Sequence, residues 1–171
     1  MAIHYGNSTS QKGLVADLWR YTAAHQGNTV LTANNWERPD TGNQGYVGGV
    51  TNSSGIFSFP STGIYLISFT AYMYLNNVTT KSQRCSANIK VTNDNSNYNN
   101  MASNACQFGG GGYNTSLNTD DSATTQLMLD VTDTSNIKVQ FEFGAGQGFE
   151  YIGGSSSQNS TFAIFTKVGD T

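Results

Sequence analysis

Charged side chains are scarce in this sequence. Asp, Glu, Lys and Arg account for 11% of the 171 residues, and the formal net charge is −3, where about 25% charged residues is usual. With no basic run or stripe, neutralisation of a phosphate backbone is excluded as a mode of action, and no nucleic-acid partner is expected. Histidine is as rare, with His4 and His25 alone. Neither an H-x-x-x-H nor a C-x-x-C spacing occurs, so the ligand patterns of zinc sites are missing. No G-x-S-x-G elbow marks a serine nucleophile. Nothing specific supports catalysis, and neither an enzyme activity nor a cofactor is expected. Long apolar runs are absent too. The longest, Ile64 to Leu75, is broken by Ser68 and Thr70 and is too short to cross a bilayer, so no membrane partner is expected. After Met1, the segment Ala2-Ile3-His4-Tyr5-Gly6-Asn7 has neither the basic nor the apolar stretch of a secretory leader, and synthesis in a cytosol is expected. The five N-x-[ST] sites, at Asn7, Asn52, Asn77, Asn114 and Asn159, then carry little weight.

What the chain has instead is Asn, Ser, Thr and Gly, residues that favour turns and β-structure over helix. Aromatics at 12% separate it from disordered chains of similar polarity. Apolar residues recur with period two. Ile137, Val139, Phe141 and Phe143 fall on one face of a strand, and Phe162, Ile164, Thr166 and Val168 alternate with Ala163, Phe165 and Lys167. Gln126 to Val131 and Cys85-Ser86-Ala87-Asn88-Ile89-Lys90-Val91 form two more strands, the latter with Cys85 on its apolar face. Turn chemistry at 93–97, 132–136 and 153–157 separates them. Many short strands so spaced predict one all-β sandwich or barrel. Cys85 and Cys106 could pair; the alternative reading is reduced thiols, with Cys85 within the core.

The strand Ile64 to Leu75 is the longest. One face (Tyr65, Ile67, Phe69, Ala71, Met73, Leu75) is core. The other (Ile64, Leu66, Ser68, Thr70, Tyr72, Tyr74) is half apolar and aromatic, which calls for cover by a second sheet or a second copy of the chain. Tyrosine suits a subunit interface, where it buries area and keeps a polar tip. Nearer the N-terminus, a first strand is expected over Ala16 to Ala23, with a short helix around Leu14, Val15, Leu18 and Trp19 as the alternative. Residues 1–15 form an arm and 16–171 the folded domain.

Several motifs invite functional readings. Gly144-Ala145-Gly146-Gln147-Gly148 lacks the third glycine and the following helix of a dinucleotide site, and Gly109 to Gly112 lacks the Lys-Ser/Thr of a P-loop, so both are loops. Asp120-Asp121 and Asp130 with Asp133 match no calcium loop and read as acidic turn residues. Trp36-Glu37-Arg38-Pro39-Asp40 is either a ligand-gripping loop or a tryptophan packed at a sandwich rim with Glu37 and Arg38 exposed.

Gly55-Ile56-Phe57-Ser58-Phe59-Pro60-Ser61-Thr62-Gly63-Ile64-Tyr65 resembles the signature of the complement C1q-like and tumour-necrosis-factor-like jelly roll. Asn159-Ser160-Thr161-Phe162-Ala163-Ile164-Phe165 is similar to that family's last strand. The resemblance implies a jelly-roll β-sandwich that assembles as a homotrimer about an aromatic axis, with Ile64, Leu66, Tyr72, Tyr74 and Phe165 at the interface. Together with Trp36 to Asp40 and the ending Phe-Thr-Lys-Val-Gly-Asp-Thr, it also resembles the C1q-like structural domains of tailed-phage virions, cyanophages in particular. The implied role is a capsid decoration protein on the virion surface. Trimers would clamp the major capsid protein and attach through Ile3, His4, Tyr5, Leu14 and Trp19. The alternative is a tail-fibre tip that binds a host glycan. A sugar-binding module would use Trp36 and Tyr46 as stacking platforms.

Overall fold

The computed structural model describes residues 14–32, 34–40, 42, 44–47, 49–75, 84–108 and 119–171. Its regular elements there are all strands: β1 (Ala16–Tyr21), β2 (His25–Gln26), β3 (Thr29–Val30), β4 (Trp36–Glu37), β5 (Thr51–Ser53), β6 (Ile56–Ser58), β7 (Gly63–Leu75), β8 (Arg84–Thr92), β9 (Asn99–Gln107), β10 (Thr119–Val131), β11 (Lys138–Ala145), β12 (Tyr151–Gly153) and β13 (Phe162–Gly169). They form two antiparallel sheets. One has the order β2-β12-β7-β13-β1-β4, with β10 also on β7; the other has the order β5-β6-β11-β8-β9, with β3 also on β11.

β7 organises the first sheet. β10 runs along one edge, from Thr119 opposite Leu75 to Val131 opposite Gly63. The other edge is shared by β13, from Phe162 opposite Thr70, and β12, with Tyr151 opposite Tyr74. The expected alternation holds residue by residue: every odd position from Gly63 to Leu75 is buried and every even one half-buried. The first strand is also as expected from Ala16, ending at Tyr21. Its partner is β13, with Ala16 opposite Thr166, which rules out the helical alternative. Val15 is already in the core, and its carbonyl accepts a 2.9 Å hydrogen bond from Lys167 N.

Between the sheets lies an aromatic core. The Phe141 ring lies 4.6 Å from Phe69, 5.2 Å from Phe57 and 5.5 Å from Trp36, centre to centre. Full burial of each such side chain contributes about 1.5–3 kcal/mol. Two glycines deliver Phe57 and Phe59 into this core. Gly55 has φ +83°, and a Cβ there would overlap the Leu31 carbonyl. Gly63 has φ +142°, and a Cβ there would meet Gly169 O and the Lys167 side chain. Between them the chain turns at exposed Pro60 and enters β7. Glycine at 55 and 63 is therefore a steric requirement: at both positions the backbone passes too close to its neighbours for a side chain.

Two surface turns hold carboxylates that contribute to the pH response. The Asp94 carboxylate accepts from Asn97 N (2.8 Å), Asn97 Nδ2 (2.7 Å), Ser96 N (2.9 Å) and Thr92 Oγ1 (2.8 Å). Asp133 accepts from Ser135 N (2.7 Å) and Asn136 Nδ2 (2.8 Å). Asn95 Nδ2 joins the two turns by donating to Ser135 O at 2.8 Å. Hydrogen bonds to the charged form, from Asn97 first in one case and Ser135 N in the other, hold both carboxyls below the ordinary 3.8. A depressed carboxyl contributes stability that is present above its unfolded value and lost as pH falls through the folded one. The urea midpoint is therefore expected to fall as pH drops below 3.8, and an Asp94→Asn, Asp133→Asn double variant to fall less steeply; equal slopes in midpoint-versus-pH measurements would count against this.

Candidate functional site

The outer face of the β7 sheet is its least ordinary surface. Down β7 it presents Ile64, Leu66, Ser68, Thr70, Tyr72 and Tyr74, all half-buried. β13 adds Phe162 opposite Thr70, Ile164 opposite Ser68 and Thr166 opposite Leu66. β10 adds Met128, 59% exposed, opposite Leu66. Toward one end stands a tyrosine stack: Tyr72–Tyr74 at 5.9 Å and 28°, then Tyr74–Tyr151 at 5.0 Å and 13°. Gly153 makes room for it, since a Cβ there would strike the Tyr72 ring. Tyr72 Oη donates to Asp120 Oδ2 at 3.1 Å, and Tyr151 Oη to Gln26 Oε1 at 2.9 Å. Burial raises the Tyr72 and Tyr74 phenols above their ordinary value, and Asp120 raises Tyr72 further, so both rings are neutral and packable at any physiological pH.

Of the five expected interface residues, Ile64, Leu66, Tyr72 and Tyr74 share this face. Phe165 does not. It is fully buried between the sheets, 5.1 Å from the Phe57 ring and 6.1 Å from Phe59. The period-two rule explains the correction: Phe165 alternates with Ile164, so the residues of β13 on the outer face are Phe162, Ile164 and Thr166. Phe162 and Ile164 are the aromatic and aliphatic members that the sequence reading missed.

Of the expected attachment residues, Ile3, His4 and Tyr5 lie outside the described residues. Leu14 is exposed. Trp19 is a correction: its ring is buried against Phe57 at 5.8 Å, with the Arg38 guanidinium 4.5 Å from its centre, so it serves the core. Trp36 is likewise no stacking platform. It is buried among Tyr21, Phe57, Phe69 and Phe141, and its Nε1 donates to Leu31 O at 2.8 Å. Tyr46 is 53% exposed, but Arg38 covers one face of its ring at 4.1 Å.

The charges after Trp36 close onto β1. Arg20, fully buried, meets Glu37 Oε1 at 2.6 Å and Asp40 Oδ1 at 2.7 Å. Buried Asp17 receives a two-pronged bond from Arg38, Nε to Oδ1 at 3.1 Å and Nη2 to Oδ2 at 2.9 Å, and Arg38 also donates to Val50 O at 2.7 Å. Hydrogen bonding to Asp17 raises the Arg38 guanidinium further. Glu37 and Arg38 were expected to be exposed at a rim; they are half-buried members of a clamp that pairs every charge of β1.

The second sheet has a polar outer face. A shallow groove of about 320 Å³ runs between β8, β9 and β11, lined by Asn28, Arg84, Ser86, Asn88, Asn100 and Ser103, with Gly144 and Gly146 at its side. Asn88 links it: its amide donates to Glu142 Oε1 at 3.1 Å and accepts from Ser103 Oγ at 2.6 Å. Lys90 Nζ holds the other Glu142 oxygen at 2.9 Å. Among the described residues, no group of three His, Cys, Asp or Glu side chains is placed to hold a metal ion.

Solved structures place this architecture. Over 92% of this chain and 94% of its own, the TNF Eiger from S. frugiperda superposes with a TM-score of 0.56 at 14% identity. Murine APRIL superposes with a TM-score of 0.59 at 13% identity, over 91% and 99% of the two chains. The fold is a TNF-like jelly roll. No protein-family model and no curated protein matches the sequence. At such identities the likeness concerns the backbone. Within the TNF-like jelly roll, the two outer faces then differ in kind, one apolar and aromatic, the other polar and grooved.

Proposed function

We propose that this chain is a structural protein that works as a homotrimer, assembled through the outer face of the β7 sheet, and that its place is the surface of a tailed-phage virion as a capsid decoration protein. The observation that carries the proposal is the unpartnered face itself: Ile64, Leu66, Ile164, Phe162 and the stack of Tyr72, Tyr74 and Tyr151 on one side of a TNF-like sandwich. Apolar area of this kind on a soluble chain marks an association surface, and aromatic residues dominate such surfaces. The virion role rests on the sequence resemblance to C1q-like phage domains and on a low-charge, turn-rich polar exterior. In this reading the trimer bridges major capsid proteins and holds them through residues 1–13 together with Leu14. Binding the mature lattice in preference to its precursor would stabilise it by mass action.

The polar groove of β8, β9 and β11 supports a second reading, a tail-fibre tip that binds a glycan. Its amides and hydroxyls suit sugar hydroxyls, and it takes over the role that buried Trp36 cannot fill. Immunogold labelling of intact particles with an antibody against this chain separates the two. Label over the heads is expected; label confined to tails would replace decoration by the tip, and unlabelled particles would overturn the virion role. A chain lacking residues 1–13 is expected to stay trimeric and lose the heads, because Val15 and the body of the core are untouched.

A further inference from the structure

β8 and β9 run antiparallel with Cys85 directly opposite Cys106. Opposed residues of an antiparallel pair have Cα atoms about 4.5 or 5.5 Å apart, according to the type of pair. Both values lie inside the window of about 4.4–6.8 Å that a disulfide spans. Side chains of opposed residues also leave the sheet on the same side, so the two cysteines share one face of the pair. Both cysteines are free thiols in this structure.

The two differ in access. Cys85 is fully buried, whereas Cys106 is half-buried near the end of the edge strand and its sulfur lies 3.5 Å from Met73 Sδ. We propose that Cys85 and Cys106 are a disulfide site, closed by oxidation through Cys106 and locking the edge strand β9 onto β8. The pairing stands on the strand register and the point of entry on the difference in burial, and both are independent of the virion reading.

The charges around the pair fit this order of events. The neighbouring Cys106 raises the Cys85 thiol well above its ordinary range, helped by burial and by Glu150. Cys85 in turn lowers the Cys106 thiol, against burial and Asp121. Cys106 is thus the thiolate that attacks first. With a small disulfide RSSR as oxidant, the Cys106 thiolate forms an S–S bond to one sulfur and expels RS⁻. Cys85 then loses its proton, attacks the Cys106 sulfur and expels the second RS⁻. Two protein thiols are oxidised to one disulfide, RSSR is reduced to two RSH, and the protons balance.

The test uses the full chain with oxidised glutathione. Expected are the loss of two hydrogen masses, a Cys85–Cys106 cross-linked peptide after digestion, and a melting temperature higher by about 5–10 °C that dithiothreitol reverses. Cys85→Ala is expected to stop at a glutathione adduct on Cys106, and Cys106→Ala to stay unmodified. Retained thiols after prolonged oxidation, a stable glutathione adduct on the unaltered chain, or a disulfide between chains would each overturn the proposal. So would an adduct on Cys85 in the Cys106→Ala variant, since it would make the buried thiol the point of entry.

Discussion

In solution the unaltered chain is expected to scatter light as a particle of three times 18.4 kDa, about 55 kDa, and a Tyr74→Glu variant as the 18.4 kDa monomer. Tyr74 lies at the middle of the tyrosine stack, between Tyr72 and Tyr151, and opposite Asp120. A carboxylate there would be buried on association beside an existing carboxylate. An unpaired charge taken out of water costs several kcal/mol, and a threefold assembly would incur that cost three times. Within a single chain the site is only half-buried, so the sandwich itself is expected to survive, with an unchanged far-ultraviolet spectrum and at most about 1 kcal/mol of lost strand preference. Tyr74→Phe keeps the stack and is expected to remain trimeric. A mass of 18.4 kDa for the unaltered chain would refute the assembly. A Tyr74→Glu protein that still scatters as a trimer would move the interface away from the tyrosines.

The second large effect concerns Trp36. Removal to Ala is expected to lower stability by about 3–5 kcal/mol, because large core aromatics leave a cavity that the sheets do not close. For a domain of this length that corresponds to a fall in melting temperature of roughly 6–20 °C. The four rings around Trp36 lose their central neighbour, and Leu31 O loses the indole donor. Thermal and chemical denaturation of the Trp36→Ala protein measure this directly. The experiment also decides between two meanings of the motif. A residue that stacked on a ligand would cost affinity and leave stability nearly unchanged; a core residue does the reverse. Tyr46→Ala is the matched comparison, expected to change the melting temperature little, since its ring is half exposed and rests only on Arg38 among its ring contacts.

These two positions show where reading the sequence succeeded and where it failed. Tyr74 was legible because β7 alternates without interruption over 13 residues, and one face of a period-two strand must go somewhere. Trp36 was legible only in part. β4 has only two residues, too few for a period to declare which side is inward, so a packed tryptophan and a ligand-gripping loop both stood as readings. The packed reading is the one that holds, but its exposed Glu37 and Arg38 do not: Glu37, Arg38 and Asp40 find their partners on β1, some 17 to 21 positions earlier. Phe165 falls between the two cases: alternation separated it from Ile164 without saying which of the two faces inward, and the expectation of an aromatic axis put it on the wrong side. β9 was invisible for a different reason. Asn99–Gln107 is mostly exposed, as an edge strand can be, and its few apolar residues, Met101, Ala102, Ala105 and Cys106, keep no period of two, so no apolar rhythm marked it. The same holds for Thr119 to Ser122, where β10 begins.

The sequence by itself determined the class of fold and the core faces of β7, β8 and β11, because period is a local property of the chain; why Gly55 and Gly63 must be glycine is tertiary, since the atoms a Cβ would meet belong to Leu31 and Thr32 in one case and Lys167 and Gly169 in the other. It also determined the absence of the known zinc, phosphate and nucleophile patterns. Only the tertiary structure decided which charges pair, that Trp19, Trp36 and Phe165 belong to the interior, that Phe162 and Ile164 join the tyrosines on one surface, and that Cys85 faces Cys106. Those facts depend on which strands become neighbours and in what register, and a strand's own residues do not encode its partner.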